Sequence, residues 1–240
     1  DLTGSSIYRP DRGSWEFRPG PVFAGLLLAD EINRTPAKTQ AALLEAMQER
    51  QVTADGTTHP LPRPFHVIAT ANPLEQEGTY PLPEAQLDRF LLRLSFGYPT
   101  PEQAWEVVRP RFAPRRQAPA AAPLLDADTL LAMQRAVEDV TVADEVGGYV
   151  VALVGATRSH PDVLAGSSPR GSLALAGVAR AWALLQGRDY VVPHDVKTCA
   201  PAALAHRITL RPELWLTDAS AERVVADGLA QVPVPDVGGR

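Results

Sequence analysis

Two short apolar stretches stand out in the first hundred residues. LLLA at 26–29 is apolar on consecutive positions, and FHVIAT at 65–70 is a second such stretch, ended by ANP. A half-buried strand alternates apolar and polar residues, whereas an unbroken apolar run is typical of a strand in a parallel sheet that is covered on both faces. The pattern therefore predicts an α/β fold with a parallel sheet.

Helix and turn signals lie between and after these strands. TPAKTQAALLEAMQER at 35–50 predicts a helix with Thr35 as its N-cap, Pro36 in its first turn, and a buried face formed by Leu43, Leu44 and Met47. The stretch 51–61 predicts a hairpin in which Asp55-Gly56 supplies the tight turn. Residues 83–96 begin as a short helix after Pro83 and become strand-like near their end.

A change in composition divides the chain after this region. Residues 113–123 contain three prolines and few side chains to bury, which predicts a connection. Five helical patterns follow, the third with Ser168-Pro169 as N-cap and first turn and Gly187 as its stop. We therefore expect an α/β part at 1–98, a linker at 99–125 and an all-α part at 126–240, with helices at 126–140, 143–159, 169–187, 194–206 and 220–230.

Composition limits the classes of protein that fit. Among 240 residues, 45% are hydrophobic, which supports a sizeable core, and the net charge of −5 argues against a general nucleic-acid-binding surface. The single cysteine, Cys199, permits no internal disulfide, and its apolar surroundings predict a buried packing role. With no apolar stretch of about 18 residues and no signal peptide, we expect a soluble, cytoplasmic protein.

Polar residues follow both predicted strands. Asp30 and Glu31 come directly after the first strand, and Asn72 follows the second. If the strands are neighbours, these side chains converge at one edge of the sheet, where α/β proteins bind ligands. An acid for Mg²⁺, an acid beside a water and an amide that orients the water suit nucleotide hydrolysis. The alternatives are a strand that exits to solvent at Asp30 and an ordinary Asn-Pro turn at Asn72.

The residues 25–94, GLLLADEIN through LDRFLLRL, resemble the core of a MoxR-family AAA+ ATPase. The resemblance runs over residues 1–98, and the helical part at 126–208 resembles the AAA+ lid. It implies a core of parallel strands flanked by helices, whose N-terminal part is missing from this chain, followed by an all-α lid. The sequence contains no G-x-x-x-x-G-K-S/T phosphate loop, so we expect that loop to lie upstream of residue 1 and expect these 240 residues alone to bind nucleotide poorly.

The resemblance also implies a role for each candidate site residue. LLLADE is similar to the Walker B strand, which makes Asp30 the acid that supports Mg²⁺ and Glu31 the base that polarises the attacking water. ATANP resembles sensor 1, so Asn72 positions that water or the γ-phosphate. Arg89 in QLDRF resembles an arginine finger on a helix at the rim of the core, and Arg170 in SPRGSLALA resembles sensor 2.

Each arginine has a simpler alternative. Arg89 is also compatible with an ordinary surface cation on a helix. Arg170 is also compatible with a cation in a first helical turn, which the helix dipole disfavours. The five histidines, at 59, 66, 160, 194 and 206, show no metal-ligand spacing, so we assign no metal beyond Mg²⁺ held with ATP.

Two aromatic and turn-rich segments match inserts of the family. TGSSIYRPDRGSWEFRPGP at 3–21 resembles the insert in the second core helix, and 49–65 resembles the hairpin before sensor 1. Both face the pore or a partner surface in this clade, which makes Tyr8, Trp15 and Phe17 candidate contact residues. The alternative is a hairpin that packs its aromatic rings on its own core.

The implied function is Mg²⁺-dependent ATP hydrolysis by a hexameric ring that remodels or matures a protein client. Relatives of this kind are linked to partners with a von Willebrand factor A-type domain. Three alternatives remain: a nucleic-acid motor, which the acidic charge disfavours; a subunit of a metal-chelatase motor; and a non-catalytic assembly module, if the phosphate loop is truly absent.

Overall fold

The computed structural model describes residues 2–72, 82–112, 122–214 and 217–236. Among the helices in these ranges, none combines the length and the hydropathy that a membrane crossing requires. In chain order the strands and α-helices are β1 (Gly4–Arg9), β2 (Ser14–Pro19), β3 (Leu26–Ala29), α1 (Ala37–Glu49), β4 (Gln51–Ala54), β5 (Thr57–Pro60), β6 (His66–Ala69), α2 (Glu84–Leu87), α3 (Pro101–Val108), α4 (Ala127–Glu138), α5 (Asp144–Ser159), β7 (Val163–Ala165), α6 (Pro169–Leu185), α7 (Pro193–Leu204), β8 (Thr209–Leu210) and α8 (Ala221–Gln231).

The two predicted apolar strands, β3 and β6, pair in parallel. Leu26 lies opposite His66 and Ala29 opposite Ala69, so both strands end at the same edge. The predicted burial on both faces is wrong for the described residues, because Leu26 and Leu28 are 62% and 63% exposed. The intervening Leu27 instead packs against a small cluster, so only one face of this strand pair is covered here.

Two antiparallel hairpins, β1–β2 and β4–β5, form separate two-stranded sheets. The predicted hairpin is β4–β5, and Asp55 and Gly56 both have positive φ, 49° and 76°, as the tight turn between its strands requires. In the β1–β2 hairpin, Phe17 stacks on His59 with ring centroids 4.0 Å apart, so this aromatic packs on its own domain.

The other two aromatics of the β1–β2 hairpin point outward. Tyr8 and Trp15 are 49% and 72% exposed, and their rings contact each other at 5.4 Å. The hairpin thus combines a packed aromatic with an exposed pair, and the proposed contact role of the exposed pair stays a prediction.

Helix α1 begins later than predicted, at Ala37. Thr35 is not its N-cap, because the Thr35 hydroxyl donates to the Ile32 carbonyl (2.7 Å) and so closes the preceding turn. Leu43 and Leu44 are buried as predicted, whereas Met47 is only half-buried.

The predicted strand-like end of the stretch 83–96 is wrong. Helix α2 forms after Pro83, but 91–100 contains no strand, and Phe96 and Tyr98 are 101% and 95% exposed. An extended segment needs a neighbour that takes up its backbone hydrogen bonds, and no described strand lies beside this one. Part of the predicted linker is helical, because α3 begins there with a capping box at Thr100. The residues 113–121 of the predicted connection lie outside the described ranges.

The five predicted helices of the second part are confirmed as α4 to α8, with boundaries that agree to within two residues. Their apolar residues recur at helical spacing and form one core, in which each fully buried Val or Leu contributes about 2 kcal/mol. Among the most buried members are Val146, Leu175, Ala179, Val196 and Ala200, all at 0% exposure. Cys199 is buried as predicted, and burial raises the pKa of its thiol to about 11.

An ion pair between the half-buried Arg188 and the buried Asp195 lies at the start of α7. The guanidinium of Arg188 donates to both carboxylate oxygens of Asp195 (2.7 and 2.5 Å), and Asp195 also accepts from the Val192 N–H (2.8 Å). Burial by itself would raise the pKa of Asp195, but these hydrogen bonds lower it below its ordinary value. The strands β7 and β8 were not predicted, since three and two residues are too few to show a pattern.

Candidate active site

The candidate site begins where β3 and β6 end. The backbone pairing continues beyond the strands, because the Thr70 N–H donates to the Ala29 carbonyl (3.0 Å) and the Ile32 N–H donates to the Thr70 carbonyl (2.9 Å). The chain segments that carry Asp30, Glu31 and Asn72 are therefore held side by side. The two strands are thus neighbours, which is the condition on which the expected site depends.

Thr70 links the two acidic residues. Its hydroxyl donates to Asp30 Oδ1 (2.5 Å) and accepts from the Glu31 N–H (2.9 Å). One side chain thus orients the carboxylate of Asp30 and the backbone of Glu31 together. Thr70 was not predicted as a site residue, although a hydroxyl residue directly after an apolar strand, as Asp30 is after the other, was a signal in the sequence.

Glu31 has a strained backbone. Its φ and ψ are both 49°, the left-handed region, which costs a residue with a side chain roughly 1–2 kcal/mol. The hydrogen bond from its N–H to Thr70 helps to offset this cost. In this conformation its carboxylate lies 3.1 Å from Nη1 of Arg34, so the acid is held on the surface by a cation.

Asn72 is held through its backbone by a second missed residue. Asn33 Nδ2 donates to the Asn72 carbonyl (3.1 Å). The buried Oδ1 of Asn33 has no hydrogen-bond partner among the described residues. Asn33 therefore ties the loop after β6 to the turn after β3, although sequence reasoning gave it no role.

Helix α1 stabilises the turn after β3 through Gln40. Gln40 is only 2% exposed, and its Nε2 donates to the carbonyls of Ile32 (3.1 Å) and Thr35 (3.2 Å). A buried amide that binds two carbonyls of one turn limits its movement. The buried Gln40 thus helps to hold the turn that follows the strained backbone of Glu31.

Arg89 lies in the turn after α2, not on the helix as predicted, since α2 ends at Leu87. Its side chain is exposed, and its N–H donates to the Gln86 carbonyl (3.1 Å). Its neighbour Asp88 forms an ion pair with Arg207 from the helical part, with Nε 2.9 Å from Oδ1. The backbone at Arg89 is therefore anchored while its side chain faces outward.

Arg170 occupies the second position of α6. Its side chain is exposed, and its N–H donates to the hydroxyl of Ser168 (3.2 Å), the predicted N-cap, which the structure confirms. Burial is the main cause that lowers the pKa of the nearby Arg207 guanidinium, and the charge of Arg170 adds to it. The hydroxyl of Ser168 donates to Asp88 (3.3 Å), which places the start of α6 beside the segment that carries Arg89.

His206 lies beside this cluster. It is 7% exposed, its Nε2 lies 3.0 Å from the Phe90 carbonyl, and its buried Nδ1 has no partner among the described residues. Burial is the main cause that lowers the pKa of His206, and the charges of Arg207 and Arg93 add to it, while Phe90 and Asp88 act in the opposite direction. In the described part of the chain, no three His, Cys, Asp or Glu residues form a metal-binding group.

Comparisons with known proteins match both parts of the chain. A family model described as ATPase family associated with various cellular activities (AAA) matches residues 1–92, and an AAA lid domain model matches residues 155–227. Chaperone MoxR1 of Mycobacterium tuberculosis is 44% identical over 99% of this chain and 64% of its own length. Protein MoxR of Paracoccus denitrificans is 30% identical over 96% of this chain and 75% of its own length.

A solved structure has a similar fold over almost the whole chain. The crystal structure of a candidate ATPase from Cytophaga hutchinsonii superposes with a TM-score of 0.89 at 40% identity, over 98% of this chain and 74% of that one. Across these relatives and this structure, the chain spans between 64% and 75% of the matched protein.

We predict that His206 makes stability depend on pH. Folding lowers the pKa of His206, so at a pH near or below the ordinary pKa of 6.5 the unfolded state binds more protons than the folded state. The free energy of unfolding should therefore fall as the pH drops from 7 to 5. The variant His206→Gln should show a flatter dependence in urea unfolding of the full-length protein. The exposed His194→Gln should retain the wild-type dependence, and an equal slope in both variants would contradict the prediction.

Proposed function

The chain belongs to the MoxR family of AAA+ ATPases and has the AAA+ fold, and from this premise we propose that Asp30 and Glu31 act in Mg²⁺-dependent ATP hydrolysis. The observation that carries the proposal is the Thr70 hydroxyl, which binds Asp30 and the Glu31 backbone at the ends of two parallel strands. An acid pair at this edge of a sheet, with the carboxylate of Asp30 and the backbone of Glu31 both bound by Thr70, is suited to metal-assisted phosphoryl transfer.

Asp30 fits the role of the acid that supports Mg²⁺. Mg²⁺ prefers oxygen ligands, and in nucleotide sites it is bound by one or two carboxylates together with phosphate oxygens. Asp30 offers an exposed carboxylate whose orientation is fixed by Thr70. Bound Mg²⁺ would supply neutralisation of the charge on the phosphate oxygens.

Glu31 fits the role of general base. In the proposed reaction a water attacks the γ-phosphorus, Glu31 accepts the proton of that water, and the bond from phosphorus to the ADP oxygen breaks to release ADP and phosphate. The contact between Glu31 and Arg34 is 42% and 48% exposed at its two side chains, so it is weak and can exchange with water. Asn72, held by Asn33, would orient the same water.

The two arginines fit charge-stabilising roles at two different nucleotides. We assign Arg170 to the γ-phosphate of its own subunit and Arg89 to the nucleotide of the next subunit in a hexameric ring. The exposure of both side chains supports this assignment, because each is available to a phosphate group outside its own segment. Ring assembly would bring each Arg89 to a neighbour's site.

The work that hydrolysis drives is proposed from the relatives. MoxR1 is named a chaperone, and we propose the same class of activity here, namely remodelling or maturation of a protein client in the cytoplasm. The exposed Tyr8–Trp15 pair provides a surface for such a client or for a von Willebrand factor A-type partner.

The first test of this function is Glu31→Gln in the full-length protein. Glutamine keeps the size of the side chain but cannot accept the proton, so ATP binding should persist while turnover falls by roughly 100-fold or more. ATP binding is measured by calorimetry and turnover by phosphate release. The matched control is Glu45→Gln on the exposed face of α1, which should behave as wild type. Normal turnover in Glu31→Gln would remove Glu31 from the role of base.

The second test is Arg89→Ala, which tests the role of Arg89 and, through it, the proposed ring. An arginine finger contributes roughly 10³-fold or more in rate. The variant should therefore keep its fold and its nucleotide binding but lose nearly all hydrolysis. Arg135→Ala, at an exposed position of α4, is the matched control. Wild-type hydrolysis in Arg89→Ala would exclude the finger.

Mixed rings separate action on a neighbour from action within one subunit. An Arg89→Ala subunit has an intact Glu31 and can receive an intact Arg89 from a Glu31→Gln neighbour. Mixing the two inactive variants should therefore restore part of the activity. No recovery in rings verified as mixed would place Arg89 at the nucleotide of its own subunit.

A further inference from the structure

Asp88, the residue before Arg89, connects the α/β part of the chain to two separate elements of the helical part. Its Oδ1 accepts from Arg207 Nε (2.9 Å), and its Oδ2 accepts from the hydroxyl of Ser168 (3.3 Å). Each carboxylate oxygen thus has a different partner, one after α7 and one at the start of α6.

The guanidinium of Arg207 also holds the backbone around Arg89. Its Nη2 donates to the carbonyls of Phe90 (2.7 Å) and Asp88 (3.2 Å), and its Nη1 donates to the Leu91 carbonyl (3.3 Å). The Arg207 side chain is 3% exposed. Because a buried guanidinium that loses its acceptors is costly, these contacts constrain the whole turn from 88 to 91.

Ser168 connects the same carboxylate to Arg170. Its hydroxyl donates to Asp88 and accepts from the Arg170 N–H (3.2 Å) at the start of α6. The helix start is tightly packed, since a Cβ at Gly171 would lie 2.0 Å from Ser167 Oγ. The first turn of α6 therefore packs closely on Ser167, and Ser168 links this turn to Asp88.

We propose that Asp88, held by Arg207 and Ser168, is a positioning residue that couples Arg170 to Arg89 within one subunit. The coupling rests on the proposed function, in which both arginines contact phosphate groups and Arg89 acts on the nucleotide of the next subunit. A displacement of the start of α6 then passes through Ser168 and Asp88 to the turn that presents Arg89.

The test is a double-mutant cycle on the ATP turnover of the full-length protein. Ser168→Ala removes the hydroxyl that joins Asp88 to α6 and should lower kcat roughly tenfold, as expected for a hydrogen bond to a charged group. In an Arg89→Ala background the same change should produce no further loss in the residual turnover. A structural defect that does not act through Arg89 would instead lower kcat by the same factor in both backgrounds.

Control variants separate coupling from loss of a helix cap. Ser220→Ala removes the N-cap of α8, whose hydroxyl accepts from the Arg223 N–H (3.2 Å), and should leave kcat unchanged at a comparable loss of thermal stability. Ser168→Thr retains a hydroxyl and should restore most of the activity. Equal effects of Ser168→Ala and Ser220→Ala would overturn the proposal.

A second variant tests the contact of Arg207 with Asp88 and with the 88–91 turn. Arg207→Lys keeps the charge but loses the planar fork that binds the carbonyls of the 88–91 turn, so kcat should fall further than in Ser168→Ala. Arg211→Lys is the matched control, because Arg211 Nε donates to the Pro161 carbonyl (2.8 Å) away from this turn. If Arg89→Ala loses most of its turnover but the cycle on the residual turnover is additive, the coupling is wrong and the finger assignment stands. Full activity in Arg89→Ala would overturn the finger assignment, and the coupling with it.

Discussion

The Thr70 hydroxyl fixes both acidic residues of the site, because it donates to Asp30 and accepts from the Glu31 N–H. It can do so only because β3 and β6 are parallel and in register, so that Thr70 follows Ala69 at the point where Asp30 follows Ala29. Glu31 itself has a left-handed backbone, and its carboxylate lies 3.1 Å from Nη1 of Arg34. The proposed division of labour, one acid for Mg²⁺ and one for water, depends on this arrangement.

The helical part is joined to the α/β part through a second constraint, the buried contact between Arg207 and Asp88. Both arginines that we assign to phosphate groups lie close to Asp88 or to its partner Ser168 in the sequence. Arg89 follows Asp88 directly, and Arg170 lies two positions after Ser168.

Local patterns predicted most of the fold. The apolar run of β3, the Asp55-Gly56 turn and the Ser168-Pro169 helix start are each determined by neighbouring residues, and each is confirmed. Contacts that depend on residues far apart in the sequence were missed: Thr70 binds Asp30 across 40 positions and Arg207 binds Asp88 across 119. The strand-like pattern after Leu91 failed because a strand requires a partner as well as an apolar sequence.

The steady-state Mg²⁺-dependent ATP turnover of Thr70→Val and Thr70→Ser in the full-length protein tests whether the Thr70 hydroxyl organises the site. Valine keeps the branched shape but removes the hydroxyl, so Asp30 and the Glu31 N–H lose their shared partner, and we expect turnover to fall roughly tenfold or more. Serine keeps the hydroxyl and should retain most of the turnover. Turnover at the wild-type rate in Thr70→Val would show that the site does not depend on this hydroxyl.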